Sequence, residues 1–217
     1  MRSLNEELKF MHEKVKYFTF ENFSKIPSKP GVYAWFYPLR IKNSDLHSFI
    51  EDLNKVNDFL TDKDNKYCSS VNFSAGWNDY QFSNIHEPLD KTKDFIKKWN
   101  ELYEHAILSG DFKVVDSIKR LIFISSILMK PLYVGKSINL NRRCQEHLSN
   151  NKTNSNTFHN RFCEFALKKN LNCKRIDDLI FASIVTNDFE DVNQSTENEA
   201  MIERILINLI KPLYSVR

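Results

Sequence analysis

Side chains suited to phosphate chemistry lie close together in the second half of the chain. Lys136 follows Gly135, and Arg142, Arg143 and His147 come within the next eleven residues. Arg143 and His147 are four residues apart, so they would share one face of a helix. A guanidinium can hold two phosphate oxygens and stabilise charge that develops in a transition state. The alternative is that Arg143 pairs with surface acids and that His147 takes no part.

A glutamate stands on a strongly apolar segment near the end of the chain. Residues 200–210 read AMIERILINLI, a pattern typical of a buried helix. Arg204 cannot neutralise Glu203, because adjacent side chains on a helix do not face each other. A carboxylate in such surroundings is costly without a cation, which favours a metal ligand or a partner for an arginine. The alternative is that Glu203 and Glu199 line a solvated edge.

The charge is concentrated in one block. The net charge is only +3, but residues 131–175 contain nine Lys or Arg against two Asp or Glu. Such a block suits a polyanion, or else forms a solvated face compensated by the acidic residues that follow. The chain has only four glycines, which excludes the glycine-rich loops that cradle phosphates in nucleotide-binding folds.

The sequence predicts a cytoplasmic protein with no membrane segment. The N-terminal residues are charged and carry no signal core, and the longest apolar run, 121–129, is shorter than the ~20 residues that span a bilayer. The four cysteines form no C-x-x-C pair or zinc spacing, which indicates reduced thiols.

Alternating strand and helix patterns predict an α/β, more closely α+β, domain interrupted once. The predicted strands are 29–37, 132–135 and 179–185. Helices are predicted from about Asn139, over 158–169, and from a capping box at Thr196 and Glu199 to about Ile210.

Between the first two strands, the spacing predicts a mostly helical insertion over 38–130. One helix would begin after Ser44, a second would end at Gly110, and a third would run from Asp111 to about Ile122. The loop between the first two contains Gly76, Trp77 and Tyr80, and its aromatic residues would either touch bases or fill a small core.

Three blocks of sequence resemble the GIY-YIG nuclease family. They are IPSKPGVYAW (26–35), LYVGKSINLNRR (132–143) and EAMIERILINLIKPLYS (199–215). They occur in the family's order, and Arg143 stands ten residues after Tyr133, where the family has its arginine. Two departures are the 100 positions between Tyr33 and Tyr133, where relatives have about one hairpin, and Ser215, where relatives often have asparagine.

The resemblance implies a three-stranded antiparallel sheet flanked by helices and a metal-dependent phosphodiesterase site. Tyr33 and Tyr133 would face each other, and one would deprotonate or orient the attacking water after Lys136, Arg143 or the metal tunes its pKa. Glu203 would hold one Mg²⁺ or Mn²⁺ ion. The implied catalytic residues are Tyr33, Tyr133, Arg143, His147 and Glu203, and the implied substrate contacts are Gly31, Gly135, Lys136, Arg142 and Ser215.

The resemblance also implies a domain organisation and a function. Residues 1–25 would be a helical extension, 26–37 with 131–217 the nuclease domain, and 38–130 the insertion. We expect a free-standing DNA endonuclease of restriction, phage or defence type, with RNA as a possible substrate and a homodimer forming through the insertion or on DNA. The alternative is a protein that binds nucleic acid on this fold without turnover.

Overall fold

The chain divides into two compact units. The structure, a computed structural model, describes residues 4–42, 45–60, 90–149, 157–186 and 200–208. Residues 1–40 and 120–217 form the first unit, and residues 41–119 form the second. The predicted insertion, 38–130, contains the whole second unit, but its last eleven residues belong to the first.

The first unit is built on an antiparallel sheet of four strands, in the order β1-β4-β2-β3. The strands are β1 (Val15–Phe18), β2 (Gly31–Phe36), β3 (Tyr133–Ser137) and β4 (Ile180–Val185). Strand β2 pairs with both β3 and β4. The GVY and YVG motifs therefore lie on neighbouring strands, although Tyr33 and Tyr133 are 100 positions apart in the sequence.

The fourth strand corrects the expectation of a three-stranded sheet and of a wholly helical N-terminus. Helix α1 (Leu4–Lys14) leads directly into β1, which pairs with β4 so that Phe18 lies opposite Phe181. The Phe18 side chain is buried, and its ring centroid is 6.4 Å from that of Phe181. A run of four residues is too short to show strand periodicity, and its partner is more than 160 residues away in the sequence.

The two faces of the sheet carry different side chains, because successive residues of a strand point to opposite sides. Tyr33 and Trp35 of β2 lie on one face, which we call the aromatic face, with Tyr133 and Phe181 of the flanking strands. The opposite face, here called the aliphatic face, carries a set of smaller side chains that includes Val32, Ala34, Val134, Ala182 and Ile184.

Helices of the first unit match the predicted segments closely. Helix α5 is Leu140–Leu148 and α6 is Phe158–Lys168. Leu140 and Cys144 are four residues apart, and both are fully buried on one face of α5. Helix α7 covers residues 200–208, whereas the predicted capping box at Thr196 and Glu199 lies outside the described residues.

Helix α7 is more exposed than its apolar sequence predicts. Met201 is 57% exposed and Ile205 is 48% exposed, while Leu206 lines a cavity on the aliphatic face of the sheet. The prediction of a fully buried helix is therefore wrong for the described residues. One side of a helix meets a sheet, and an apolar pattern all round does not reveal what covers the other side.

The second unit is helical over its described residues. Helices α2 (Leu46–Leu60) and α3 (Asp90–Ser109) pack on each other, and α4 (Lys113–Ile124) follows. Gly110 has a φ of +70°, the left-handed conformation predicted for the residue after a helix. Ser44, Gly76, Trp77 and Tyr80 lie outside the described residues.

Two further sequence expectations concern membranes and cysteines. Among the described residues, no helix is both long and apolar enough to cross a membrane. Cys144, Cys163 and Cys173 are free thiols, and burial raises the pKa of Cys144 to about 12. The Cys144 thiol is therefore protonated and poorly reactive at neutral pH.

Candidate active site

The start of helix α5 is fastened to the segment that precedes β2. The backbone N–H groups of Leu140 and Asn141 donate to the carbonyls of Lys29 (3.0 Å) and Pro27 (3.2 Å). The Asn139 side chain caps the helix by accepting from the Arg142 N–H at 2.9 Å. Donors that a helix start leaves without partners are thus satisfied. The IPSKP segment therefore fixes where α5 lies relative to the aromatic face.

The hydroxyl of Tyr33 is the meeting point of the site. Arg143 Nε donates to Tyr33 Oη at 3.0 Å, and His147 Nε2 lies 2.8 Å from the same oxygen. Tyr133 lies beside them, with its ring stacked on that of Tyr33. Helix α5 brings Arg143 and His147 to one face, as their spacing predicts, and that face meets β2. Four of the five predicted catalytic residues are therefore in mutual contact.

Gly135 makes room for the two tyrosine rings. The rings of Tyr33 and Tyr133 are stacked, with centroids 5.8 Å apart. A Cβ atom at Gly135 would lie 2.7 Å from Tyr33 Oη and 2.8 Å from Tyr133 Cε1. Only glycine fits beneath these rings without displacing them. Gly135 is therefore required by the packing of the tyrosine pair.

His147 is enclosed by aromatic rings. Its ring centroid lies between 5.4 and 6.0 Å from those of Tyr33, Trp35, Tyr133 and Phe158. Burial, with the charges of Arg143 and His159, lowers the pKa of His147 to about 3. The imidazole is therefore neutral at pH 7. His147 is thus a packed member of the cluster, and its role in catalysis stays a prediction.

Tyr33 and Tyr133 have different exposures. The Tyr33 side chain is 2% exposed, whereas Tyr133 is partly exposed. Burial raises the pKa of the Tyr33 phenol well above 10.0, and Tyr133 adds to this while Arg143 opposes it. The expected tuning toward a phenolate is therefore not found at Tyr33. This residue keeps its proton at neutral pH, and Tyr133 is the phenol that solvent or a substrate can reach.

Arg143 is held from two sides. Besides the bond from Nε to Tyr33, its Nη1 donates to Glu146 Oε2 at 2.9 Å. Burial lowers the pKa of the guanidinium, but Tyr33 and Glu146 outweigh this effect, so the pKa is raised. Arg143 is a permanent cation with a side chain that is 38% exposed. It pairs with a surface acid, as the alternative proposed, and also belongs to the cluster.

The predicted substrate contacts are distributed around the cluster. Arg142 is exposed, and its Nε lies 3.4 Å from Glu146 Oε1. Lys136 lies opposite Val32, so its side chain leaves the sheet on the aliphatic face, away from Tyr33. At Gly31, a Cβ atom would lie 2.2 Å from the Ile184 carbonyl oxygen, so this glycine allows β2 and β4 to approach. Ser215 lies outside the described residues.

Glu203 is the predicted metal ligand, and the structure does not join it to the cluster. It is half-buried on α7 and makes no hydrogen bond or ion pair with another described residue. The described residues contain no group of three or more His, Cys, Asp or Glu that could hold a metal ion. A free carboxylate suits Mg²⁺, which is often held by one or two carboxylates and substrate phosphates. Glu203 is therefore a suitable type of ligand for Mg²⁺, but the described residues do not surround it with further ligands.

Sequence reasoning missed Glu146 as a member of the site. Its carboxylate lies between the two arginines of α5, at i+4 from Arg142 and i+3 from Arg143. That spacing was the available signal, because such pairs meet on a helix surface. Trp35 and Phe158, which enclose His147, gave no signal other than their apolar type.

Comparisons with known proteins returned no match: no family model, no curated protein and no solved structure is significantly similar to this chain.

Proposed function

We propose that this protein hydrolyses phosphodiester bonds of DNA as a GIY-YIG-type endonuclease. The observation that carries the proposal is the convergence of Arg143 and His147 on the Tyr33 hydroxyl, next to Tyr133. These residues come from two sequence blocks that are about 100 positions apart. The basic charge of residues 131–175, which include α5 and α6, supports a polyanionic substrate.

Arg143 would stabilise the negative charge that develops on the scissile phosphate. Its guanidinium is a permanent cation, and its Nε is fixed on Tyr33. Preorganised donors of this kind are worth most where they are partly shielded from water, because they need no reorganisation during the reaction. The guanidinium nitrogens not bonded to Tyr33 would face the phosphate oxygens.

The two tyrosines would have separate roles. Tyr33 is a positioning residue, since its side chain is buried and its hydroxyl holds Arg143 and His147. Tyr133 is partly exposed and would orient the attacking water through its hydroxyl. His147, which is neutral, would hold Tyr33 in place by accepting a hydrogen bond from the Tyr33 hydroxyl.

The proposal includes a metal ion at Glu203. When bound, Mg²⁺ or Mn²⁺ would neutralise charge on the scissile phosphate and on the leaving oxygen. Glu203 would contribute one carboxylate ligand to this ion.

A second candidate is a nucleic-acid-binding protein on the same fold without turnover. The observation that favours it is the separation of Glu203 from the Tyr33 cluster within the described residues. Binding without cleavage would need only the cationic surface, so the two candidates differ in whether a metal ion produces strand breaks.

The direct test is cleavage of supercoiled plasmid by the purified full chain with Mg²⁺ or Mn²⁺. We expect nicking with either metal and none with EDTA. Glu203→Gln and Tyr133→Phe should lose most of it, while Glu164→Gln, an exposed glutamate of α6, should nick like the unmodified protein. Binding of the plasmid without nicking under any metal would favour the second candidate, and an RNA duplex assayed in parallel would distinguish the substrates.

Cleavage of both strands adds an expectation about assembly. One active site cuts one strand at a time, so double-strand breaks call for two copies of the chain. Sedimentation of the protein on DNA should then show a dimer. Double-strand breaks made by a monomer in a single binding event would contradict this expectation.

A further inference from the structure

Two neighbouring arginines of α5 converge on one carboxylate. Arg143 Nη1 lies 2.9 Å from Glu146 Oε2, and Arg142 Nε lies 3.4 Å from Glu146 Oε1. Each oxygen of the carboxylate therefore faces a different guanidinium. This is the arrangement in which two oxygens of a phosphate would be received, since carboxylate and phosphate are both bound by arginine through paired N–H···O contacts.

We propose that Arg142 and Arg143 form a phosphate-binding fork that Glu146 occupies until a phosphate of the substrate displaces it. The proposal rests on the proposed function for the identity of the substrate, and on the geometry of α5 for the fork itself. The ligand class is a phosphate group, either within a nucleic-acid backbone or as a free polyphosphate.

The Glu146 carboxylate is held weakly enough to be displaced. The side chains of Arg142 and Glu146 are 63% and 42% exposed, and that of Arg143 is 38% exposed. Ion pairs at such exposure contribute little to stability, because water competes for both partners and salt screens them. A phosphate can therefore replace the carboxylate at small cost.

The fork differs from an ordinary ion pair between neighbours on a helix in one respect. Arg143 is also fixed through Nε to the buried Tyr33 hydroxyl. When Glu146 leaves, this guanidinium keeps its position, whereas an arginine on an open helix surface would lose it. The site therefore stays organised for an anion after the displacement.

The basic block, residues 131–175, provides a matched control for the removal of Glu146. Residues 131–175 contain only two acids, Glu146 and Glu164, against nine basic residues. Glu164 is exposed on α6 and makes no hydrogen bond or ion pair with another described residue. Glu164→Gln therefore makes the same change in net charge within the same block, and it is the matched control for Glu146→Gln.

The experiment measures the binding of pyrophosphate and of a short DNA duplex to the full chain, with EDTA present to prevent cleavage. Pyrophosphate is followed through the NMR signals of the arginine Nε–Hε groups, and DNA through fluorescence anisotropy over a series of salt concentrations. We expect Glu146→Gln to lower both dissociation constants about two- to fivefold, the range that loss of a competing exposed ion pair allows. Its binding of DNA should also depend more steeply on salt.

The outcomes separate this inference from the proposed function. The fork is supported if pyrophosphate shifts the NMR signals of Arg142 and Arg143, and if it does so at lower concentrations in Glu146→Gln than in Glu164→Gln. This result would support the fork even if plasmid is never nicked. Equal tightening in both variants reduces the effect to net charge and overturns the proposal. Weaker binding by Glu146→Gln also overturns it, because Glu146 would then be needed to hold the arginines rather than to fill their site.

Discussion

The two faces of the sheet differ in how completely they are filled. On the aromatic face, Tyr33, Trp35 and Phe181 are at most 2% exposed, and α5 places His147 among their rings. On the aliphatic face, a cavity of about 490 Å³ remains. Its lining, in the part of the chain that the structure describes, includes Val15, Val32, Ala34, Val134, Ala182, Ile184 and Leu206.

This difference indicates which side chains must keep fixed positions: those whose polar atoms form hydrogen bonds in a buried site. The buried Tyr33 hydroxyl meets Arg143 and His147 at hydrogen-bond distance, and losing such a partner inside a buried site is costly. Aliphatic side chains around a cavity have no such requirement. We therefore expect small changes on the aromatic face to affect both stability and activity, and changes to the aliphatic side chains that line the cavity to affect stability alone.

The largest effect on stability should come from adding one methyl group on the aromatic face. In Gly135→Ala, the new Cβ would lie 2.7 Å from Tyr33 Oη, and the surrounding rings prevent Tyr33 from moving aside. Overpacking of this kind costs about 1–3 kcal/mol, and the displaced hydroxyl should also reduce plasmid nicking. Urea unfolding and the nicking rate measure the two effects.

A glycine of the second unit provides the control for that substitution. In Gly110→Ala, no described residue apart from the chain neighbours of Gly110 comes within 4 Å of the new Cβ, but φ is +70°. The backbone strain should cost about 1 kcal/mol and leave nicking unchanged. If Gly135→Ala lost no more stability and activity than Gly110→Ala, the packing of the tyrosine pair would not be the constraint described here.

An intermediate effect should appear when the pH falls. The pKa of His147 is about 3 in the folded chain, against 6.5 when unperturbed, so the unfolded state takes up a proton that the native state does not. The contribution of the neutral His147 to the free energy of unfolding is therefore fully present above about pH 6.5. It is lost as the pH falls toward 3. Between pH 7 and pH 5 the loss should be about 2 kcal/mol.

Replacing the histidine isolates this contribution. His147→Gln keeps an acceptor for the Tyr33 hydroxyl but does not titrate, so its free energy of unfolding should fall less between pH 7 and pH 5. Urea titrations of both proteins at the two pH values give the comparison. Parallel losses would mean that His147 is not buried and neutral in the native state.

The smallest effect should come from the aliphatic face. Ala34→Val adds two methyl groups on the side of the sheet that faces the cavity, and valine suits a strand. The added burial should stabilise the fold by about 0.5–1 kcal/mol, with nicking unchanged. A loss of activity in this variant would show that the two faces are coupled, contrary to the comparison above.

Local patterns in the sequence predicted most of the elements that carry the site. A strand is predicted over 29–37, where β2 lies, and a helix from about Asn139, where α5 begins. The GVY and YVG blocks placed Tyr33 and Tyr133 together. These features depend on residues within one element or on a motif, so they can be read without the fold.

The rest depends on contacts that are distant in sequence. Strand β1 is defined by its pairing with β4, and the burial of Tyr33 depends on α5 and β4. For this reason the direction of the shift in the Tyr33 pKa could not be predicted. The spacing of Glu203 gives no tertiary contact, and within the described residues Glu203 makes no hydrogen bond or ion pair, so its cation stays a prediction.

The central claim is that the cluster around Tyr33 stabilises charge on a scissile phosphate through Arg143. The most direct measurement is the single-turnover rate of plasmid nicking by Arg143→Ala, with Arg120→Ala, an exposed arginine of α4, as the control. We expect Arg143→Ala to lose about 10²–10³-fold in rate, and Arg120→Ala to nick like the unmodified protein. Equal rates in the two variants would contradict the claim, as would an unmodified protein that cuts no nucleic acid with any metal.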